Sequence, residues 1–250
     1  HMDDRQLSIQ ELDRYSRHLV IPQIGVEGQQ KLKQSSVLIV GAGGLGSPAA
    51  LYLAAAGLGR MGIVDHDVVE ESNLQRQIIH SEMSIGQPKS ASAKERLHSL
   101  NTELVVEVTQ SRFTKENAEE IANGYDLLIG ATDNFTSRYI ENRVCMELGI
   151  PYIFGTAQGF DGQVGVFTGQ PCYQCIFPTE PNPGQEQTPA ESGVLGPVPG
   201  IIGSIQATEA IKVLLGIGVP LIGRLLIFNA LSMDFSTIKL NALPDCPICG

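Results

Sequence analysis

Basic residues are scarce in this chain. Its 250 residues carry 17 Lys and Arg against 27 Asp and Glu, a formal charge of −10. Because Lys and Arg supply most of the affinity for a phosphate backbone, a general nucleic-acid binder is excluded. Any polyanion the protein handles has to be held by a local basic cluster. Long apolar runs are also missing: the longest fall well short of the roughly 20 residues that span a bilayer, so no membrane role is expected. Aromatic residues make up only 6%, charged residues 18% and hydrophobic residues 42%, the composition of a soluble globular protein with enough chain to bury a substantial core. Neither a charged-then-apolar leader nor a small-residue cleavage site follows His1 and Met2, so the expected location is the cytoplasm. Cysteines number five, an odd count that argues against a disulfide framework. There is no internal repeat, low-complexity tract or linker.

What the chain does have is an alternation of strand and helix signals. IQELDRYSRHLV (9–20) reads as a short amphipathic helix presenting Arg14 and Arg17. SVLIV predicts a buried strand, the alanine-rich run to Gly57 a helix, and MGIVDHD a second strand. A helix with Pro88 in its first turn and Lys89 beside it, the strand ELVVEVTQ, a helix capped by Thr114, the strand DLLIGATDN, a helix ending at Gly149 and the strand PYIFGTAQ follow. This order specifies an α/β protein with a Rossmann-like, doubly wound, mostly parallel sheet. After residue 160 come a strand at QVGVFT and then a proline-rich irregular excursion over 171–199. An apolar helix, GIIGSIQATEAIKVLLG, and two strands, RLLIFNA and DFSTIKL, close the chain as C-terminal antiparallel strands.

Gly41, Gly43 and Gly46 satisfy G-x-G-x-x-G between a strand and a helix, which turns backbone N–H groups and a helix N-terminus toward phosphate. Asp65, at the end of the second strand, is placed for a ribose hydroxyl. To this point NAD, FAD and ATP fit equally. Asn73, Arg76, Lys89 and Asp133 break the tie. A dinucleotide's pyrophosphate is served by the glycine loop, whereas a triphosphate with its metal needs cationic clamps and a carboxylate for Mg²⁺. Arg76 and Lys89 are candidate clamps. Asp133 lies at the C-terminal edge of a parallel strand, where the ligands of such sheets bind. Taken singly, Arg76 and Lys89 read as solvated surface charges, Asp133 as a helix cap, and Asp67, Glu70 and Glu71 as loop solvation; the case for a site rests on their occurring together.

Cys172-x-x-Cys175 and Cys246-x-x-Cys249 are two knuckles with the spacing that grips one tetrahedral ion, and four thiolates favour Zn²⁺. With no open coordination position, such a metal is a structural clip between the excursion and the C-terminus. The alternative is two independent reducible pairs. Cys145 reads as core.

In order along the chain, GAGGLG, D-x-D with SNLQRQ, GQPK, ATDN, CYQC and CPICG resemble the ubiquitin-activating-enzyme superfamily, in its bacterial ThiF/MoeB/HesA branch, from about Arg14 to Gly250. The resemblance implies a single adenylation domain over 2–250: an N-terminal helical segment (9–35), a nucleotide-binding core (36–170), a crossover loop (171–199) and a C-terminal helix, strands and zinc knuckle (200–250). It implies a homodimer that uses Mg-ATP to adenylate the C-terminal glycine of a small ubiquitin-like sulfur carrier ending in Gly-Gly. By position, Gly41, Gly43, Gly44, Gly46, Asp65, Asp67, Asn73, Arg76, Gln77, Lys89 and Asp133 would form the nucleotide site, with magnesium on Asp133. Arg14, with Arg76, Lys89 and Asp133 in the catalytic set, would reach the neighbouring subunit. Many relatives carry a crossover-loop cysteine where this chain has Pro189, so the chemistry is expected to stop at the acyl-adenylate. The sulfur donor is expected to be a separate protein. The rival expectations are an NAD-dependent oxidoreductase, which leaves Arg76, Lys89 and Asp133 without work, and a non-catalytic scaffold for a ubiquitin-like partner.

Overall fold

The computed structural model describes residues 6–182, 184–185 and 187–250. In chain order the elements are α1 (Ile9–Arg14), α2 (Ser16–Leu19), α3 (Gly25–Lys33), β1 (Ser36–Val40), α4 (Gly46–Ala56), β2 (Arg60–Val64), α5 (Lys89–Leu100), β3 (Val105–Thr109), α6 (Ala118–Ala122), β4 (Leu127–Gly130) and α7 (Phe135–Leu148). They continue with β5 (Tyr152–Gln158), β6 (Asp161–Phe167), α8 (Tyr173–Ile176), α9 (Pro189–Ser192), α10 (Pro197–Leu215), β7 (Arg224–Asn229) and β8 (Asp234–Lys239).

The strands form one eight-stranded sheet in the order β3-β2-β1-β4-β5-β6-β7-β8. β3, β2, β1, β4 and β5 run parallel, whereas β6, β7 and β8 add antiparallel strands. This is the expected α/β, Rossmann-like, doubly wound class. The central strands are buried on both faces, so β1 shows no alternation: all five residues of SVLIV are buried. One face is covered by α3, α4, α5 and α10, with Leu32, Leu53, Leu97 and Ile202 in its core. The other is covered by α6 and α7 and is rich in rings, Tyr152, Phe154, Phe167 and Tyr173 packing edge to face or tilted. Fully burying one such large apolar side chain contributes on the order of 2 kcal/mol.

Among the element boundaries that differ from the sequence reading, four have a clear local reason, and the excursion expected to be irregular contains the short helices α8 and α9. The helix expected over 9–20 breaks at Tyr15, whose ring is buried and whose hydroxyl accepts from Asn101 Nδ2; that tertiary bond outranks continuation of one helix. Pro88 lies just outside α5 as its N-cap residue. Thr114 does not cap α6: the helix starts at Ala118, and Asn117 turns its side chain back to the Thr114 N–H and the Arg112 carbonyl. Finally, α10 starts at Pro197, three residues before the expected glycine, because a proline in the first turn loses no helical hydrogen bond. This helix also corrects the expectation about apolar runs: its 19 residues have a mean hydropathy of 1.3, enough by length and composition to cross a bilayer. It packs instead against α4, β5 and β6.

Candidate active site

The glycine loop lies between β1 and α4. Gly41 has φ +105°, and a Cβ at Gly46 would collide with the Gly41 carbonyl, so the spacing of these two glycines is what lets α4 start directly at the strand end. Ser47 Oγ donates to the Gly43 carbonyl at 2.5 Å. Asp65, one residue past β2, accepts from the Ala42 N–H and the Asp67 N–H, both at 2.8 Å. His80 braces the loop from behind, with Nε2 2.8 Å from the Ala42 carbonyl and Nδ1 2.7 Å from Ser92 Oγ. Burial lowers the pKa of His80, which keeps the ring neutral and able to donate to that carbonyl.

This loop forms one end of a cleft of about 970 Å³. Gly41, Gly43, Gly44, Asp65, Asp67, Arg76, Gln77, Lys89 and Asp133 all line it. Lys89 is buried, with Nζ 3.6 Å from Asp67 Oδ2, and Asp67 also lies 2.9 Å from His66 Nε2. Arg76 is partly exposed; its Nη1 donates to the Ser72 carbonyl and to Gln75 Oε1. Gln77 is buried with Oε1 left without a partner, an acceptor available to a donor in the cleft. Asp133 is exposed, three residues past the end of β4. It does not cap α7, because Asn134 does so, accepting from the Ser137 N–H at 2.8 Å.

Three expected residues lie outside the cleft walls. Gly46 is packed beneath the loop. Asn73 is buried and accepts from the Glu70 N–H at 2.9 Å, while its carbonyl receives the N–H groups of Arg76 and Gln77; it supports the turn that carries them. Arg14 is exposed, with Nη1 3.0 Å from the Leu100 carbonyl.

Described residues of the excursion over 171–199 line the cleft. The excursion is tied down by the Gly159 N–H donating to the Gly193 carbonyl, the Leu195 N–H donating to the Gly159 carbonyl, and Gln75 Nε2 donating to the Val194 carbonyl. Gln185, Gln187 and Pro189 line the cleft from this side. Cys145 is fully buried on α7, and burial pushes its thiol pKa well up, so it stays a protonated core residue. Behind the floor, Glu141 is fully buried. Its carboxylate accepts from Tyr152 OH at 2.7 Å and Thr132 Oγ1 at 2.9 Å, and burial raises its pKa to about 7.

The four remaining cysteines converge as their spacing requires. The sulfurs of Cys172, Cys175, Cys246 and Cys249 lie within 4.8 Å of one another, with Cys172–Cys246 at 3.7 Å and Cys175–Cys249 at 3.4 Å. A tetrahedral ion with metal–sulfur bonds of about 2.3 Å needs sulfur–sulfur edges of about 3.8 Å, so the donor set fits a four-thiolate metal. Asn142 Nδ2 donates to Cys172 Sγ at 3.5 Å, as an outer-shell support would.

Thr132, Arg138, Thr156, Tyr173 and Phe177 also stand in the cleft wall, and the sequence reading does not single them out. For Arg138 a signal exists: it sits in the first turns of the helix that follows a strand end, at the ligand-binding edge of the sheet. Tyr173 comes from the excursion, and only the folded chain brings it there.

Fold and cleft together define a doubly wound protein whose nucleotide-type pocket opens at the carboxyl edge of its parallel strands. The chain belongs to the ThiF family, the match running over residues 15–248. It is 49% identical over 248 residues to the sulfur carrier protein adenylyltransferase of Thermus thermophilus, covering 96% of this chain and 92% of that protein. It is 47% identical to the SAMP-activating enzyme E1 of Haloferax volcanii, covering 98% and 91%. Adenylyltransferase and sulfurtransferase MOCS3-1 of Zea mays is 50% identical over 99% of this chain, which spans only 53% of that longer protein. Among solved structures, the microcin C7 biosynthetic enzyme MccB in complex with N-formylated MccA superposes with a TM-score of 0.85 at 23% identity, over 96% of this chain and 76% of that one. Escherichia coli MccB with ATP gives 0.80 at 23% identity, over 95% and 74%. These two structures share the fold.

Proposed function

We propose that this protein is an adenylyltransferase that uses ATP to activate the C-terminal glycine carboxylate of a small ubiquitin-like sulfur carrier. The observation that carries the reading is the composition of one cleft: a glycine loop, a strand-end aspartate at Asp65, two cations at Arg76 and Lys89, and a second carboxylate at Asp133 just past a strand end. The names borne by relatives at 47–49% identity over nearly their whole length support the same reaction.

In this reading Asp65 receives the ribose, the N-terminus of α4 and the loop amides receive phosphate, and Arg76 and Lys89 offset the charge of the leaving pyrophosphate. Asp133 would hold magnesium, which supplies charge neutralisation at the phosphates when bound. The carrier's carboxylate oxygen bonds to the α-phosphorus and the bond to pyrophosphate breaks. A carboxylate is ionised at neutral pH, so no general base is required, and the chain's own contribution is positioning and electrostatics. With Pro189 where many relatives carry a cysteine, and Cys145 sealed in the core, the reaction ends at the acyl-adenylate, which a sulfur donor consumes. The four-cysteine cluster takes zinc as a structural clip. Arg14, which lines no part of its own chain's cleft, acts across a homodimer, and the enzyme works in the cytoplasm.

Mass spectrometry of a Gly-Gly-terminated carrier incubated with the protein and Mg-ATP tests this directly. The expected product is an AMP adduct on the terminal glycine, with carrier-dependent exchange of labelled pyrophosphate into ATP. Reduction of a carbonyl compound by NADH, with no exchange, would replace it with the oxidoreductase reading.

A further inference from the structure

The cleft is also lined by Arg138 and Tyr173, two buried polar residues whose hydrogen-bonding capacity the fold does not fill. Arg138, on the first turns of α7, is only 9% exposed, and its Nε has no hydrogen-bond partner. Its guanidinium lies 5.0 Å from the Phe135 ring and 5.9 Å from the Phe154 ring, and Nη2 donates to Thr156 Oγ1 at 3.1 Å. Tyr173 is fully buried in the same wall; its hydroxyl has no partner at ideal hydrogen-bond geometry, and its nearest polar neighbour is the Arg138 side chain. Burial raises the pKa of this phenol, and nearby Arg138 partly opposes that rise.

An interior arginine with a purely structural role normally has its donor fork filled, because a buried charge without a counter-charge is costly. Among the described residues no carboxylate forms an ion pair with Arg138. Glu141, three residues on, is the nearest candidate, but its two oxygens are taken by Tyr152 and Thr132. Ring contacts with a cation are too weak to offset the desolvation of a buried guanidinium. Among the described residues, Arg138 thus keeps an unfilled donor that an anion in the cleft would take.

Two anions belong to the proposed reaction, and the geometry distinguishes them. In the proposed function, phosphate already has its donors in the loop amides, Arg76 and Lys89, which come from other elements of the wall. The wall around Arg138 is a slot between aromatic rings with one planar fork, one phenol and one threonine, which suits a planar carboxylate. We infer that Arg138, Tyr173 and Thr156 form the subsite that holds the carboxylate of the substrate's terminal glycine beside Asp133. Arg138 fixes one carboxylate oxygen and leaves the other free to form the bond to the α-phosphorus as pyrophosphate departs, with no proton transferred.

This assignment rests on the adenylation reading, so its test has two arms that fail separately. In the first, thermal unfolding of the full chain with magnesium and a non-hydrolysable ATP analogue is followed with glycylglycine or glycylglycinamide at matched concentration. The free acid raises the midpoint and the amide does not. In Arg138→Gln and Tyr173→Phe the acid loses its effect while the shift caused by the nucleotide remains. In the second arm, carrier-dependent pyrophosphate exchange shows KM for the carrier raised about tenfold or more in Arg138→Gln, the loss expected for a charge-assisted pair, with KM for ATP within about twofold. Arg138→Lys keeps the charge without the fork and recovers only part of the loss; it is also the variant to read if Arg138→Gln does not fold. Equal effects of acid and amide on the wild type overturn the subsite, as does an acid effect that survives in Arg138→Gln. A parallel loss of ATP affinity overturns it too, by making Arg138 a phosphate clamp. A wild type that prefers the free acid yet exchanges with no Gly-Gly carrier keeps the subsite and sinks the carrier reading.

Discussion

Asp133 and Glu141 lie on either side of Thr132 in space, one in the cleft and one behind its floor, and burial assigns them different work. Asp133 is exposed and carries no structural hydrogen bond in the α7 cap, so its loss should leave the fold intact. Asp133→Ala is expected to cut pyrophosphate exchange by about 10²-fold or more, as for loss of a transition-state charge partner. An unchanged rate, with an unchanged melting temperature confirming the fold, discards the assignment. Glu141 bears on stability. Its folded pKa, about 7, lies above the unfolded value of 4.5, so the folded state favours the protonated form. That contribution is fully present below about pH 4.5 and is lost as pH rises through 7, amounting to about 3 kcal/mol over the interval. Urea unfolding of Glu141→Gln and wild type at several pH values should therefore show the stability difference moving in favour of the variant between pH 4.5 and 8. A difference independent of pH counts against a protonated Glu141.

At the scale of elements, the cleft depends on how closely α10 lies on α4. Gly203 of α10 makes this possible: a Cβ there would collide with the Leu45 carbonyl and Pro48. Two effects compete in Gly203→Ala. Helix propensity favours alanine by about 1 kcal/mol, and overpacking against a backbone that cannot rotate away costs about 1–3 kcal/mol. The second wins, because Leu45 is the last residue of the glycine loop before α4 and its carbonyl is the atom a Cβ would meet. The variant should unfold at lower temperature and show a raised KM for ATP, since the displaced segment is the one that presents amides to phosphate. An unchanged KM would separate helix packing from loop geometry. The same dependence explains why the start of α10 is hidden in its sequence: the first turn is proline-rich, which in isolation signals a loop, and packing makes it a helix.

For the whole molecule, the cysteine cluster joins two segments some 70 residues apart in sequence, the start of the excursion and the C-terminus. Around it there is little else to hold the last residues: all six residues of β8 are exposed. Removing the metal with a strong chelator should release one equivalent per chain and lower the melting temperature by about 5 °C or more, as expected when a closed thiolate site is emptied. Limited proteolysis should then cut within 240–250. Cys172→Ser should reproduce the effect without chelator. An unchanged melting temperature and cleavage pattern would reduce the cluster to two independent thiol pairs. Burial does not act alone on the thiols: it raises the Cys246 pKa, but hydrogen bonds from the backbone N–H groups of Ile248 and Cys249 and from the Cys175 and Cys172 thiols outweigh it and bring the value down to about 7, whereas Cys172 and Cys249 are pushed up.

Residues whose chemistry depends on local spacing are legible in the sequence by itself. Gly41, Gly43 and Gly46, Asp65 at a strand end, and the paired C-x-x-C knuckles carry their meaning in a few neighbouring positions, because a turn, a strand terminus or a metal knuckle is formed within one short segment. The doubly wound class follows equally from the alternation of strand and helix. The tertiary structure alone decides what depends on distant chain segments meeting. It breaks the first helix at Tyr15 by giving its hydroxyl a partner at Asn101, places Asn73 in support of its own turn rather than in the cleft wall, and brings Tyr173 from the excursion to face Arg138. Burial gives Arg138 its unbalanced charge and Glu141 its raised pKa, and burial is a property of the packed molecule that no run of residues contains.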